Sequence, residues 1–169
     1  MRLWKETNAS LAGRSPGAAV RFAVDSAVQD INRQVASRGA RVVQVLRNAE
    51  KEVLKGQRSG RIYTVPETGR TDRKTGARIR GSGVKYTASA PGEPPARRTG
   101  DLQMRWIGNT VVARNSTNGV TVTARLESEM PYSGYLENGT ARMQPRPFVQ
   151  PIIDKAKPEI EKILNEPYK

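Results

Sequence analysis

Histidine and cysteine are both absent from this chain, which removes the usual general base, the usual thiolate and the commonest metal ligands together. The sixteen carboxylates are scattered, most of them beside basic neighbours, and no two are placed as a general acid/base pair requires. Serine and threonine hydroxyls lack a histidine to activate them; a serine–lysine arrangement, as in a small hydrolase, remains a third reading of the chain. Gly81-Ser82-Gly83 and the Thr-Gly pairs do not form a phosphate-binding loop, because no GxxxxGK[ST] spacing occurs. No catalytic, cofactor-binding or metal-ligating residue is therefore assigned, and an enzyme is not expected. The Asn-x-Ser/Thr triplets at Asn8, Asn115 and Asn138 read as chance matches, since no signal-peptide apolar region precedes them.

The charge pattern is more informative. The chain carries 29 basic and 16 acidic side chains, net +13, with a sequence pI near 10.6. Residues 56–98 hold ten of the bases and only three of the acids, whereas residues 99–169 are nearly balanced. Arg58, Arg61, Arg70, Arg73, Lys74, Arg78, Arg80 and Lys85 form a spaced basic row. Such a row neutralises phosphates without reading bases. The plainer reading is a solvated loop. Zinc spacing, an RNA-recognition aromatic pair and a helix-turn-helix pattern are all missing, so sequence-specific DNA recognition is not expected.

The elements around this row follow from hydrophobic spacing. Ser15-Pro16-Gly17 is a helix start, with Ser15 as N-cap and Pro16 at the first helical position. Val20, Val24, Val28, Ile31, Val35, Val42, Val45, Ala49 and Val53 recur at helical spacing to about Lys55. Gly39 is either a tolerated glycine or a break. Unbroken, this helix is about 57 Å long at ~1.5 Å per residue. That is more than a small sheet covers, so either the helix bends or its stripe continues onto a neighbouring subunit. Residues 61–65 and 83–88 alternate as strands, giving an extended β-hairpin with a long basic tip. Residues 90–96 are a stiff Pro/Gly connector, and Thr99 is an N-cap candidate for a short helical turn. Residues 107–114 and 119–127 read as strands, with Val120, Val122, Ala124 and Leu126 on one face. A last amphipathic helix spans 151–165, where Pro158 predicts a kink or restart.

The expected fold class is α+β: a long N-terminal helix and a C-terminal helix packed on a small, mostly antiparallel sheet, with the basic hairpin projecting. One domain over 1–169 is expected, with 1–16 as an N-terminal extension and 56–98 as arm and connector. No segment is apolar enough to span a membrane, so a soluble chain made in a cytoplasm is expected.

The aromatic-rich stretch 131–151, PYSGYLENGTARMQPRPFVQP, has two readings. It is a strand–turn–helix corner built on an Asn138-Gly139 turn, or a self-association surface. The second reading names Tyr132, Tyr135, Leu136, Glu137, Gly139, Thr140, Met143, Arg146, Pro147 and Phe148 as subunit-interface candidates.

Two separated stretches carry a resemblance. Ala88-Ser-Ala-Pro-Gly-Glu-Pro-Pro-Ala96 precedes Thr99-Gly100-Asp101-Leu102. Tyr132-Ser-Gly-Tyr135-Leu-Glu-Asn-Gly139-Thr140 precedes Met143, Arg146-Pro147-Phe148 and Pro151. In these motifs and their order, over about residues 41–165, the chain resembles the neck or tail completion proteins of long-tailed, siphovirus-type phages, a group related to minor tail protein Z of lambda-like phages. It departs from their pattern at Asp101, where a basic residue is usual, and at Trp106, where a small polar one is. The resemblance implies a non-enzymatic virion protein at the head–tail junction, assembled in the bacterial host cytoplasm. It implies a homo-oligomeric, hexameric ring around the channel for the double-stranded genome, with stopper, tail terminator and tail tube as neighbours. On that reading the basic row lines the DNA channel, and no cofactor or membrane is involved. The alternative is a basic, sequence-independent nucleic-acid-binding protein outside the virion.

Overall fold

The structure is a computed structural model that describes residues 16–65, 70–71, 74–75, 78–79, 84–97, 99–114 and 119–168. In chain order the elements are α1 (Pro16–Lys55), β1 (Ile62–Val65), β2 (Arg70–Thr71), β3 (Arg78–Ile79), β4 (Val84–Thr87), α2 (Asp101–Met104), β5 (Trp106–Arg114), β6 (Val120–Ser128), α3 (Ser133–Asn138) and α4 (Val149–Leu164). The fold class is α+β, as expected. The strands form three two-stranded ladders: β1–β4 and β2–β3 make the expected extended hairpin, and β5–β6 is the small sheet. The backbone gathers into two compact units. The first comprises residues 1–44, 108–125 and 160–169, the second 45–107 and 126–159. Ser15 lies outside the described residues, so the helix start is seen only from Pro16.

In the first unit, Gly39 does not break α1 but is a packing glycine. A Cβ there would lie 2.3 Å from Val122 Cγ1 and 3.0 Å from Thr110 Cγ2, so side chains of the β5–β6 hairpin occupy its place. β5 and β6 are joined by a short connection, which only antiparallel neighbours permit. Along β6, half-buried and exposed residues alternate, with Val120, Val122 and Ala124 on the covered face. Val42, Val43 and Ile163 are buried, while Val20, Val24 and Ile31 on the earlier turns of α1 are exposed.

The buried cation of this unit is fully used. Arg38, only 6% exposed, donates from Nη2 to the carbonyls of Glu166 (2.6 Å) and Pro167 (3.1 Å), and from Nη1 to that of Leu164 (3.4 Å). Its guanidinium also sits 4.0 Å from the Tyr168 ring centroid. Arg41 forks onto the Glu166 carboxylate, at 2.6 Å through Nη1. Two arginines one turn apart thus strap down the tail and satisfy carbonyls that the end of α4 leaves open.

In the second unit the buried apolar side chains are Ala49, Leu54, Trp106, Phe148, Ile152 and Ala156. Trp106 meets Phe148 edge-on at 5.9 Å between centroids and donates its indole N–H to the Leu102 carbonyl. The backbone carbonyl of Trp106 accepts from Arg47 at 3.3 Å. Pro158 lies inside α4 without ending it. One hydrogen bond is lost there, but the stripe Ile152, Ala156, Ile163 is buried on both sides of the proline and keeps the helix in register. Ile153 and Leu164 of the same helix are exposed. Thr99 is not the N-cap of α2. Gly100 holds that position with φ 96°, and the Thr99 hydroxyl instead donates to the Asp101 carboxylate at 2.6 Å.

Candidate assembly site and basic arm

Both candidate features lie in the second unit, and the arm is best followed from its foot. α1 ends at Lys55, and the chain turns through Gln57 to Gly60 before β1. Gly60 is required by close approach: a Cβ would sit 2.6 Å from the Ala88 carbonyl oxygen, while Gly60 N–H donates to that oxygen at 3.0 Å. Glu93 closes the foot. Its carboxylate accepts from the Ser59 hydroxyl (2.5 Å), the Ser59 N–H (3.1 Å) and the Ala90 N–H (3.0 Å). The Ser59 hydroxyl bond, then the Ala90 and Ser59 amides, hold the carboxyl down at about 2, with Arg58 helping and burial opposing.

Arg58, expected to face DNA, is built into this foot. Its guanidinium donates to the Pro95 carbonyl from Nε (3.2 Å) and Nη2 (3.1 Å), and to the Val53 carbonyl at 2.7 Å. Burial lowers its pKa below the ordinary arginine value, and Glu93 opposes that shift. It caps the end of α1 and pins the connector, so its donors are committed.

Beyond the foot, β1 and β4 pair antiparallel in the register Ile62 to Thr87, Tyr63 to Tyr86, Thr64 to Lys85 and Val65 to Val84. β2 and β3 extend the hairpin, with Arg70 opposite Ile79 and Thr71 opposite Arg78. Tyr63 and Tyr86 stack at 5.6 Å with ring planes 21° apart, and the Arg61 guanidinium lies 5.5 Å from the Tyr63 centroid. Ile62 and Tyr63 are 64% and 43% exposed although they lie on opposite faces. Of the basic row, Arg61, Lys74 and Lys85 are exposed. Arg70 and Arg78 are placed by their strands, and Arg73 and Arg80 lie outside the described residues.

The stretch 131–151 is tied to the connector 88–96, although 34 residues of chain separate them. Gly92 N–H donates to the Pro145 carbonyl at 3.0 Å, and Arg146 Nη1 donates to the Ser89 hydroxyl at 2.7 Å. Ser89 is buried. Arg146 N–H also donates to the Leu136 carbonyl at 2.8 Å. Asn138-Gly139 does not follow a strand, as a strand–turn–helix corner would require. It ends the six-residue helix α3, with Gly139 at φ 76° and a would-be Cβ 2.7 Å from the Met143 carbonyl oxygen. No side chain fits there. Thr140 and Met143 then close a tight bridge, N–H to carbonyl in both directions. Glu137 Oε2 accepts from the N–H groups of Phe148 (2.9 Å) and Val149 (3.2 Å), capping the start of α4.

The interface candidates therefore divide. Glu137, Gly139, Thr140, Arg146 and Phe148 make contacts inside the unit, and Phe148 is only 2% exposed. Leu136, Met143 and Pro147 are half-buried. Tyr132 and Tyr135 are 38% and 64% exposed and free to meet another surface. Sequence reasoning missed Ser59, Ser89 and Glu93, which lock the arm and connector. Glu93, as the one acid of a rigid connector, was the available signal.

A cavity of about 640 Å³ opens between these segments, lined by Leu54, Tyr86, Pro95, Tyr132 and Leu136 and by the charged groups Arg97, Asp101 and Arg146. One further group stands out. Glu50 on α1 is 1% exposed, and its Oε1 has no hydrogen-bond partner. Burial raises its pKa to about 7 against the pull of Lys51 and Arg47. Among the described residues, no three acidic side chains gather as a metal site requires, and no helix is long and apolar enough to cross a membrane. No family model matches the chain, and no curated protein or solved structure is significantly similar to it.

Proposed function

We propose that this chain is a non-enzymatic structural protein of a phage neck, a tail completion protein that joins head to tail as a homo-oligomeric ring around the DNA channel. The observation that carries the reading is the arm. Its foot is fixed by Glu93 and Arg58, while Arg61, Lys74 and Lys85 are exposed, as are Ile62 and Tyr63 of β1. A fixed foot with an exposed basic blade suits tolerance of passing DNA through sequence-independent, salt-sensitive contacts. The motifs at 88–102 and 132–151 support the family reading. Exposed Val20, Val24 and Ile31 on α1 and exposed Tyr132 and Tyr135 supply two unlike patches, as a closed ring of heterologous contacts needs.

A second reading, sequence-independent nucleic-acid binding outside a virion, is favoured by the Arg61–Tyr63–Tyr86 stack, since exposed aromatic faces accept bases of any sequence. Electron microscopy of particles assembled without the protein tests the first reading. Filled heads separate from finished tails are expected; normal virions would refute it. Tight, salt-dependent binding of single-stranded DNA by the isolated monomer, lost in Tyr63→Ser, would favour the second.

A further inference from the structure

We infer that the cavity beside α3 is a docking pocket for a partner polypeptide segment that carries a carboxylate next to a bulky apolar side chain. The inference is independent of the neck reading, because it rests on the lining alone. At about 640 Å³ the cavity falls within the ~300–1,000 Å³ typical of ligand pockets. Its walls are apolar and aromatic: Leu54, Pro95, Leu136, Tyr86 and Tyr132. Its charged lining is unbalanced, with two guanidinium groups, Arg97 and Arg146, against the single carboxylate of Asp101. That carboxylate already accepts the Thr99 hydroxyl at 2.6 Å.

The two guanidinium groups differ: that of Arg146 is held in place, whereas Arg97 is exposed. Arg146 is fixed by its backbone N–H on Leu136 and by Nη1 on Ser89, yet its Nε is buried without a partner. Arg97 lies against Gly100, whose buried, positive-φ backbone leaves the space: a Cβ there would be 3.2 Å from Arg97 Nε. One positioned and one exposed guanidinium group beside an apolar wall match an anion on an apolar body, and a planar carboxylate suits the guanidinium fork. Tyrosine and arginine around an apolar floor are also the residue types that dominate protein–protein hot spots, which favours a peptide over a metabolite.

The test uses the full chain, isotopically labelled, titrated with blocked tetrapeptides bearing Phe, Tyr or Leu beside Glu, and with the matching Gln peptides. Amide shifts are read by two-dimensional NMR. At least one Glu peptide should give saturable shifts confined to the cavity lining, and its Gln counterpart should bind about tenfold or more weakly, as loss of a charge-assisted pair predicts. Arg97→Gln and Arg146→Gln should each abolish that preference. Ala96→Leu, which narrows the cavity and keeps both arginines, should weaken every peptide alike. If Arg146→Gln does not fold, Arg97→Gln alone decides. Absence of saturable shifts with every Glu peptide, equal binding of Glu and Gln peptides, or a preference surviving Arg97→Gln would overturn the proposal. Free N-acetylphenylalanine binding as tightly as the peptides would also overturn it, in favour of a small-molecule pocket.

Discussion

Replacing Glu50 by glutamine should flatten the pH dependence of stability over the neutral range. The Glu50 carboxyl is 1% exposed, lacks a partner at Oε1, and has its pKa raised from 4.5 to about 7, first by burial. Its folded-state pKa therefore lies above its unfolded value. The native state holds this proton more tightly, so the stabilisation is fully present below about pH 4.5 and is lost as pH rises through about 7. At ~1.4 kcal/mol per pKa unit the ceiling is about 3 kcal/mol, and water entry or relaxation around the ionised group reduces it. Between about pH 5 and about pH 8 the wild type should lose on the order of 2 kcal/mol that the variant does not. Glutamine adds an amide that needs a partner, a cost of about 1–3 kcal/mol at most. That cost is the same at both pH values, so it cancels in the difference. Urea unfolding of both proteins at the two pH values, with the slope checked for constancy, measures this double difference. Parallel pH profiles, agreeing within about 0.5 kcal/mol, would refute the assignment of a buried, proton-binding carboxyl at Glu50.

Gly39→Ala should destabilise the protein by about 1–2 kcal/mol in thermal unfolding: overpacking against Val122 at 2.3 Å outweighs the ~1 kcal/mol helix-propensity gain. Glu93→Gln should speed amide exchange at Ser59 and Ala90 while leaving α4 unchanged. In the wild type the foot should persist until pH falls through about 2, where the Glu93 carboxylate takes up its proton. Glu137→Ala should cost about 1 kcal/mol through the uncapped start of α4, read by urea unfolding. Tyr135→Ser should leave unfolding unchanged within about 0.5 kcal/mol, yet reduce self-association measured by sedimentation if the exposed ring serves a subunit contact.

Much of the fold was legible because hydrophobic period is a local property. The stripe on α1, the alternation along β6 and the two strands of the arm follow from spacing alone. What was not legible depended on partners far along the chain. Gly39 looked like a weakness because nothing local says that Val122 and Thr110 fill its Cβ position. Arg58 read as one more base in a basic row, and only the position of the Pro95 carbonyl shows that it is a cap. Asn138-Gly139 matches a hairpin signal, but α3 precedes it and the glycine meets the Met143 carbonyl, so the same dipeptide ends a helix. Pro158 was expected to interrupt α4, yet burial on both sides of it outweighed one missing hydrogen bond.

The same distinction bears on what the two motif stretches do. Ser89 and Gly92 in one stretch bond Arg146 and Pro145 in the other, and Glu137 caps the helix that Phe148 leads into. These residues are satisfied within one chain, so their joint occurrence reflects a folding requirement that any partner would inherit. They hold the connector, and through Glu93 and Arg58 the connector holds the foot of the arm. The side chains of Tyr132 and Tyr135 beside the cavity segment and of Arg61 and Lys85 on the arm stand outside the bonds of that lock, although the Arg61 carbonyl accepts the Ala88 N–H at 2.9 Å. Selection for assembly and for contact with a polyanion can therefore act on them without disturbing the lock. Substitutions at the tyrosines should alter association, those at the arm cations should alter salt-dependent binding, and those at Ser89, Glu93 or Glu137 should alter both by loosening the scaffold.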